Sequence, residues 1–240
     1  MRIALIGHGA MGRLVEARAI EDGHKVTLVL TSAHMLQRVD EVAEQLKQNA
    51  DVAIDFSVAD AVLNNISACM SAGVPLVEGT TGWNREGVNV EGFVKKQQGA
   101  LIYGANFSIG VNLFYSIIER AGELFKGLEG YAPFIEEAHH ARKKDAPSGT
   151  AIKLRNLLAA KMGREIPVTS TRAGFIPGTH RVGFDSVADQ ITLTHTARSR
   201  EGFAAGALLA ARWIIGRTGV YEFSEAFDEI LKERMKKKWL

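Results

Sequence analysis

The densest chemistry of this chain lies in residues 137–151, which read Glu-Ala-His-His-Ala-Arg-Lys-Lys-Asp-Ala-Pro-Ser-Gly-Thr-Ala. Two adjacent imidazoles, His139 and His140, precede three consecutive cations, Arg142, Lys143 and Lys144, and a Pro-Ser-Gly-Thr turn then opens an apolar helix. Histidine is the side chain that exchanges a proton near neutral pH. Ser148, Gly149 and Thr150 would present backbone amides at a helix start, where anions bind. Ser148 is equally suited to capping that helix. Lys143 brings a full positive charge to the same place. The set suits a small anion bearing carboxylates that is held and given a proton. Adjacent residues on a strand point to opposite faces, so His139 and His140 aim alike only where the strand has ended. Neither paired cysteines nor a helical His-x-x-x-His accompanies them, so no metal is expected.

A second motif sits at the N-terminus. Arg-Ile-Ala-Leu-Ile at residues 2–6 reads as a strand. Gly7-His8-Gly9-Ala10-Met11-Gly12 and a helical pattern through Leu14, Val15, Ala17, Ala19 and Ile20 follow it. Strand, glycine turn and helix in this order are the context of a dinucleotide site. Gly7 permits the tight turn, Gly9 the approach of a pyrophosphate, and Gly12 close packing of helix on strand. Residues 25–30 form the second strand, and at its end Thr31-Ser32 stand where an acidic residue would bind the ribose 2′-hydroxyl. With Arg13, His34 and Arg38 nearby in sequence, the reading leans to NADPH with NADH also used.

These two sites need a scaffold. A helix stripe through Met35, Val39, Val42 and Leu46 leads to a third strand at 52–56. A helix at 60–72 precedes a fourth strand at 75–78, and a fifth follows at 101–104. Such alternation predicts an open parallel sheet covered by helices on both faces. Ligands lie beyond the carboxyl ends of its strands, which puts Phe56-Ser57, residues 79–82 and residues 106–108 along the cofactor crevice. Cys69 falls mid-helix among Val62, Ile66 and Met70 and reads as a buried structural thiol.

Beyond residue 109 the pattern changes. A long amphipathic helix at 111–126 and a strand at 131–138 lead into the histidine motif. After the next helix the pattern reads antiparallel at 169–172, 181–185 and 190–197. Helices at 204–215 and 223–235 close the chain. The fold class expected is α/β: an N-terminal Rossmann-like parallel sheet with an inserted α+β domain on a mixed or antiparallel sheet. The dinucleotide-binding domain spans 1–108 and 217–240, and a substrate-binding and oligomerisation domain spans 109–216.

Composition excludes several classes. Of 240 residues 46% are hydrophobic and 23% charged, the range of soluble globular proteins, and the net charge is only +2. Lys236, Lys237 and Lys238 supply much of that excess and suit a helix C-terminus; they are no nucleic-acid footprint. A single cysteine rules out an internal disulfide and fits a cytoplasmic protein. No apolar run approaches the length of a membrane span.

The Glu-Ala-His-His-x-x-Lys-x-Asp-Ala-Pro-Ser-Gly-Thr-Ala motif resembles the signature of the 4-hydroxy-tetrahydrodipicolinate reductase (dihydrodipicolinate reductase) family of lysine and diaminopimelate biosynthesis. The likeness extends through Ile54-Asp55-Phe56-Ser57, Gly79-Thr80-Thr81-Gly82, residues 105–112, Arg172-x-Gly174, Gly178-Thr179-His180, His195-x-Ala197 and Arg200-x-x-Phe203-Ala204-x-Gly206-Ala207. The resemblance implies hydride transfer from NAD(P)H to a cyclic dicarboxylate, followed by protonation. It makes His139 the general acid and Lys143 its partner. It gives His140, Lys143, Ser148, Gly149, Thr150 and Thr81 to the carboxylates, and it lines the nicotinamide pocket with Gly79, Thr81, Ala105 and Phe107. It also implies a homotetramer. Many members carry a glycine turn one residue longer, and the ribose contacts of relatives are missing at Thr31-Ser32. Another Rossmann reductase of an amino-acid-derived imine or carbonyl, or a dinucleotide sensor without turnover, is the alternative.

Overall fold

The computed structural model describes residues 1–32, 38–83 and 88–236, which form two compact units: residues 1–109 with 200–240, and residues 110–199. His34 and Met35 lie outside the described residues, as do Lys237 and Lys238.

The first unit is built on a parallel sheet. Its strands are β1 (Arg2–Ile6), β2 (Lys25–Leu30), β3 (Val52–Asp55), β4 (Leu76–Glu78), β5 (Ala100–Tyr103) and β10 (Gly219–Glu222), in the order β10-β5-β4-β3-β1-β2. Residues 3–6 and 52–55 are buried throughout, as expected of strands covered on both faces. One face packs on α1 (Ala10–Glu21), α7 (Glu201–Ile214) and α8 (Phe223–Lys236) through Ile3, Leu5, Val15, Ile54, Val77, Leu208 and Phe227. The other packs on α2 (Val39–Asn49), α3 (Val62–Ala72) and α4 (Val90–Lys96) through Ala4, Ile6, Leu46, Ile66, Leu76 and Val94. Chain order reverses beside β1, where β2 lies on one side and β3 on the other. That reversal opens a ligand crevice beyond the strand ends.

The second unit holds α5 (Ile109–Phe125), β6 (Ala132–His139), α6 (Gly149–Met162), β7 (Val168–Arg172), β8 (Thr179–Asp185) and β9 (Gln190–Thr196). The four strands run β7-β6-β8-β9. Phe114 and Ile118 of α5 and Leu154 and Leu158 of α6 pack on the face bearing Ile135, Val182 and Phe184.

Two expectations change. Residues 168–172 pair parallel with β6, not antiparallel. The crossover through α6 returns the chain to the same end of the sheet, and the antiparallel pairs are β6–β8 and β8–β9. The return to the first unit comes at Arg200 instead of 217, because α7 buries Ala204, Ala207, Leu208, Ala211 and Ile214 in the first unit's core. Strand β10 and helix α4, neither anticipated, belong to the parallel unit; four residues with no alternating pattern leave little trace of a strand.

Candidate active site

Alternation along β6 sends Ile135, Glu137 and His139 to the face that carries the core, and register puts Glu137 opposite His180 and His180 opposite His195. The apolar face thus ends in a row of ionisable groups. Strand β6 stops at His139, which frees His140 from strict alternation. Glu137 is 2% exposed and accepts three donors: His139 Nδ1 on Oε2, Arg172 Nη2 on Oε1 at 2.7 Å, and the Ser148 amide on Oε1 at 3.3 Å. Arg172 also donates to the Asp145 carbonyl at 2.6 Å, tying the 140s turn to β7. His139 Nε2 lies against Gly178, where a Cβ would come within 3.2 Å.

Ser148 is the N-cap of α6. Its Oγ accepts from the Ala151 amide at 3.3 Å, bonds His180 Nε2 at 3.1 Å, and is 2% exposed. Its hydroxyl thus serves the cap and His180. Gly149 is different. A Cβ there would meet nothing within 4 Å, so the first turn of α6 faces open space beside Thr150. Lys143 Nζ bonds Asp145 Oδ1 at 2.8 Å, with Asp145 half exposed, while Arg142 and Lys144 are exposed. His140 Nδ1 is buried and has no partner.

Charge follows this geometry. Burial would raise the Glu137 carboxyl, but hydrogen bonds from Arg172, Ser170 and His139 outweigh it and hold it at about 2. Burial lowers His139 below its ordinary 6.5 in spite of Glu137, and Lys143 and Arg172 add to the fall. Burial, with the charge of His139, takes His180 down to about 4 against the pull of Glu137. Burial lowers His195 as well. Glu137, His139 and His180 could offer three ligand atoms within 4.8 Å of one another. The Arg172 guanidinium already neutralises this carboxylate, however, which opposes a second cation there.

In the first unit, Gly7 has φ 85°, and a Cβ on it would meet the Phe56 carbonyl oxygen at 2.5 Å. The Gly7 amide also bonds the Leu30 carbonyl at 2.8 Å, so the glycine turn sits between the ends of β2 and β3. Gly9 caps α1, and a Cβ there would meet nothing within 4 Å. Space is open at Gly9, while a Cβ on Gly12 would meet the Gly7 carbonyl oxygen at 2.2 Å, so helix and turn pack closely there. Thr31, Thr81 and Ala105 are exposed just past strand ends. His8 is held by Glu16 at 2.7 Å. Phe107, expected along the nicotinamide pocket, is 1% exposed; its ring packs on Phe223 at 4.6 Å and edge-on to Phe56 at 6.3 Å. Its side chain belongs to the core.

Models of the dihydrodipicolinate reductase N-terminus and C-terminus match residues 1–107 and 110–227. The 4-hydroxy-tetrahydrodipicolinate reductase of Christiangramia forsetii is 37% identical over 97% of this chain and 100% of its own length. The chain belongs to the dihydrodipicolinate reductase family. The Thermosipho africanus reductase of the same name is 36% identical over 95% of this chain and 99% of its own. A solved dipicolinate-bound dihydrodipicolinate reductase from Paenisporosarcina shares the fold, with a TM-score of 0.75 at 21% identity over 92% of this chain and 97% of that one.

As a member of the dihydrodipicolinate reductase family the chain is an oxidoreductase that uses NAD(P)H. The open helix start at Gly9 fits a pyrophosphate. Arg13 is exposed on α1, while Arg38 pairs with Asp40. Among the described residues no helix is long and apolar enough to cross a membrane. Sequence reasoning gave no role to Glu137, Arg172, His180 or His195. The signal was present in part: residues 135, 137 and 139 share a strand face, and an acid on an apolar face needs partners. The partners themselves come from other strands.

Proposed function

We propose that this reductase converts 4-hydroxy-tetrahydrodipicolinate to tetrahydrodipicolinate in lysine and diaminopimelate biosynthesis, with His139 as the proton donor. The reading rests above all on the buried Glu137–His139 pair beside Lys143 and the open start of α6. Glu137 holds Nδ1, so Nε2 is the nitrogen that faces the substrate. Net chemistry adds a hydride and a proton and releases water. NAD(P)H, when bound, supplies the hydride. Gly7, Gly9, Ala10, Met11 and Gly12 would carry its phosphates, and Gly79, Thr81 and Ala105 would lie by the nicotinamide.

His139 in the free site is held below 6.5, mostly neutral at pH 7. Two substrate carboxylates arriving beside it raise that value and load the acid when the substrate is present. Lys143, leaving exposed Asp145, takes one carboxylate; Gly149 and Thr150 amides, with His140, take the other. Lys143→Ala then raises the substrate KM by about 10- to 100-fold, the worth of a hydrogen bond to a charged group. The cofactor KM stays put. A change confined to the cofactor KM removes Lys143 from the substrate site.

Assembly as a homotetramer is part of the same proposal. The sheet face opposite the core carries Thr169, Thr171, Thr192, Thr194 and Thr196, all exposed, and suits a second sheet. Light scattering on the eluting protein reads the mass directly. The function itself is tested by oxidation of NADH and NADPH in parallel with freshly generated substrate. Oxidation of neither rejects it, and the ratio measures what Thr31-Ser32 prefer.

A further inference from the structure

The mechanism leaves two buried acids unused. Asp55 and Glu78 end the adjacent strands β3 and β4, stand opposite each other in register, and are 0% and 1% exposed. Each is followed at once by a turn of the dinucleotide crevice. Asp55 Oδ1 accepts the Ser57 amide at 2.7 Å and the Thr80 hydroxyl at 3.4 Å, and Asp55 Oδ2 accepts Asn65 Nδ2 at 2.7 Å. Glu78 Oε1 accepts the Thr80 amide at 2.7 Å. The Ser57 amide also reaches Thr80 Oγ1 at 3.0 Å, so the two turns are stitched to each other through the acids. Glu78 Oε2 is buried with no N–H or O–H donor. A proton on that oxygen, donated to Asp55, gives it a partner.

We infer that Asp55 and Glu78 hold one proton between them and act as positioning residues, fixing the turns at Phe56-Ser57 and Gly79-Thr81 against the glycine turn in the geometry that NAD(P)H requires. The contacts above the pair are tight: a Cβ on Gly79 would strike the Phe56 ring at 2.2 Å, and one on Gly7 the Phe56 carbonyl at 2.5 Å. A small shift of either turn therefore moves the wall of the pyrophosphate crevice. Two carboxylates side by side out of water cannot both ionise. Burial raises both groups above the usual carboxylate range, and the charge of Asp55 adds to the rise of Glu78. The groups facing them are Asn65 and Cys69 of α3, Ile6 of β1 beside Asp55, and Tyr103 of β5 beside Glu78. Burial and both acids push the Cys69 thiol up, so it stays neutral.

The arrangement costs stability. Glu78 is raised above its ordinary 4.5, so the folded chain keeps a proton that the unfolded chain has lost, and stability falls as pH climbs past that value through neutrality. Glu78→Gln retains an acceptor for Thr80 and a donor for Asp55 without the proton. The inference rests on the dinucleotide reading of the glycine turn, and binding without turnover separates the two. NADPH dissociation constants and thermal midpoints are measured for wild type, Glu78→Gln, Glu78→Ala and Thr80→Val. NADPH affinity stays within about 2-fold in Glu78→Gln, but falls about 10-fold in Glu78→Ala and about 3-fold in Thr80→Val, as buried donors lose partners. The thermal midpoint of wild type drops more steeply than that of Glu78→Gln between about pH 6 and pH 9. Unchanged affinity in Glu78→Ala or Thr80→Val, parallel loss in Glu78→Gln, or equal pH slopes overturns the inference. If Glu78→Ala does not fold, Thr80→Val and Glu78→Gln decide it. Wild type that binds neither NADPH nor NADH overturns the dinucleotide reading with it.

Discussion

His139→Ala lowers turnover by about 10²- to 10⁴-fold, the contribution of a positioned general acid. The geometry behind this expectation is specific. Nδ1 is held by Glu137, the ring edge at Nε2 lies over Gly178, and the ring of His180 stands edge-on at 5.1 Å. Removing the imidazole leaves Lys143, Gly149 and Thr150, the proposed carboxylate contacts, in place, so substrate KM changes little while kcat collapses. Cofactor affinity stays at the wild-type value, because the glycine turn belongs to the other unit. Steady-state kinetics with both substrates varied measures all three quantities. Turnover near wild type would falsify the assignment of His139 as the acid, and His140 would then be the imidazole to examine.

The second large effect is expected at Glu137. Glu137→Ala leaves the Arg172 guanidinium and the His139 ring without their shared anion and costs about 3–5 kcal/mol, the usual loss when one partner of a buried ion pair is removed. Urea denaturation reads this directly. Glu137→Gln is the sharper probe, since it keeps the shape and removes only the charge. Glu137 raises His139 in the wild type, so its neutral replacement drives the histidine further down. A general acid must be protonated to act, and the alkaline fall of kcat/KM therefore moves to lower pH in Glu137→Gln. An unmoved limb would show that Glu137 serves only stability. Glu137 itself sits at about 2, so its own support is present at every pH above the ordinary carboxylate range and is lost only as pH falls towards 2.

The sequence by itself determined the parallel unit, the glycine turn and the stretch at 137–151. In each of these the signal is local: branched runs of five residues, glycines at fixed spacing, and a helix start marked by Ser148 ahead of an apolar stripe. Spacing along one chain also placed Cys69 in the core, since helical periodicity needs no partner to be read. The tertiary structure decided the rest. Whether residues 168–172 run parallel or antiparallel to β6 depends on which end of the sheet α6 returns to, and a period of two is the same in both cases. Whether α7 belongs to the first or second unit depends on which core has room for its small residues. Likewise Ser148 and Phe107 are of the expected types, but burial commits one to a cap and the other to an aromatic cluster. The partners of Glu137 come from residues 35 positions downstream in Arg172 and 43 downstream in its register mate His180, and Asp55 meets Glu78 only because β3 and β4 are neighbours. Ionisable groups act through distance and dryness, and neither quantity exists until the strands have paired.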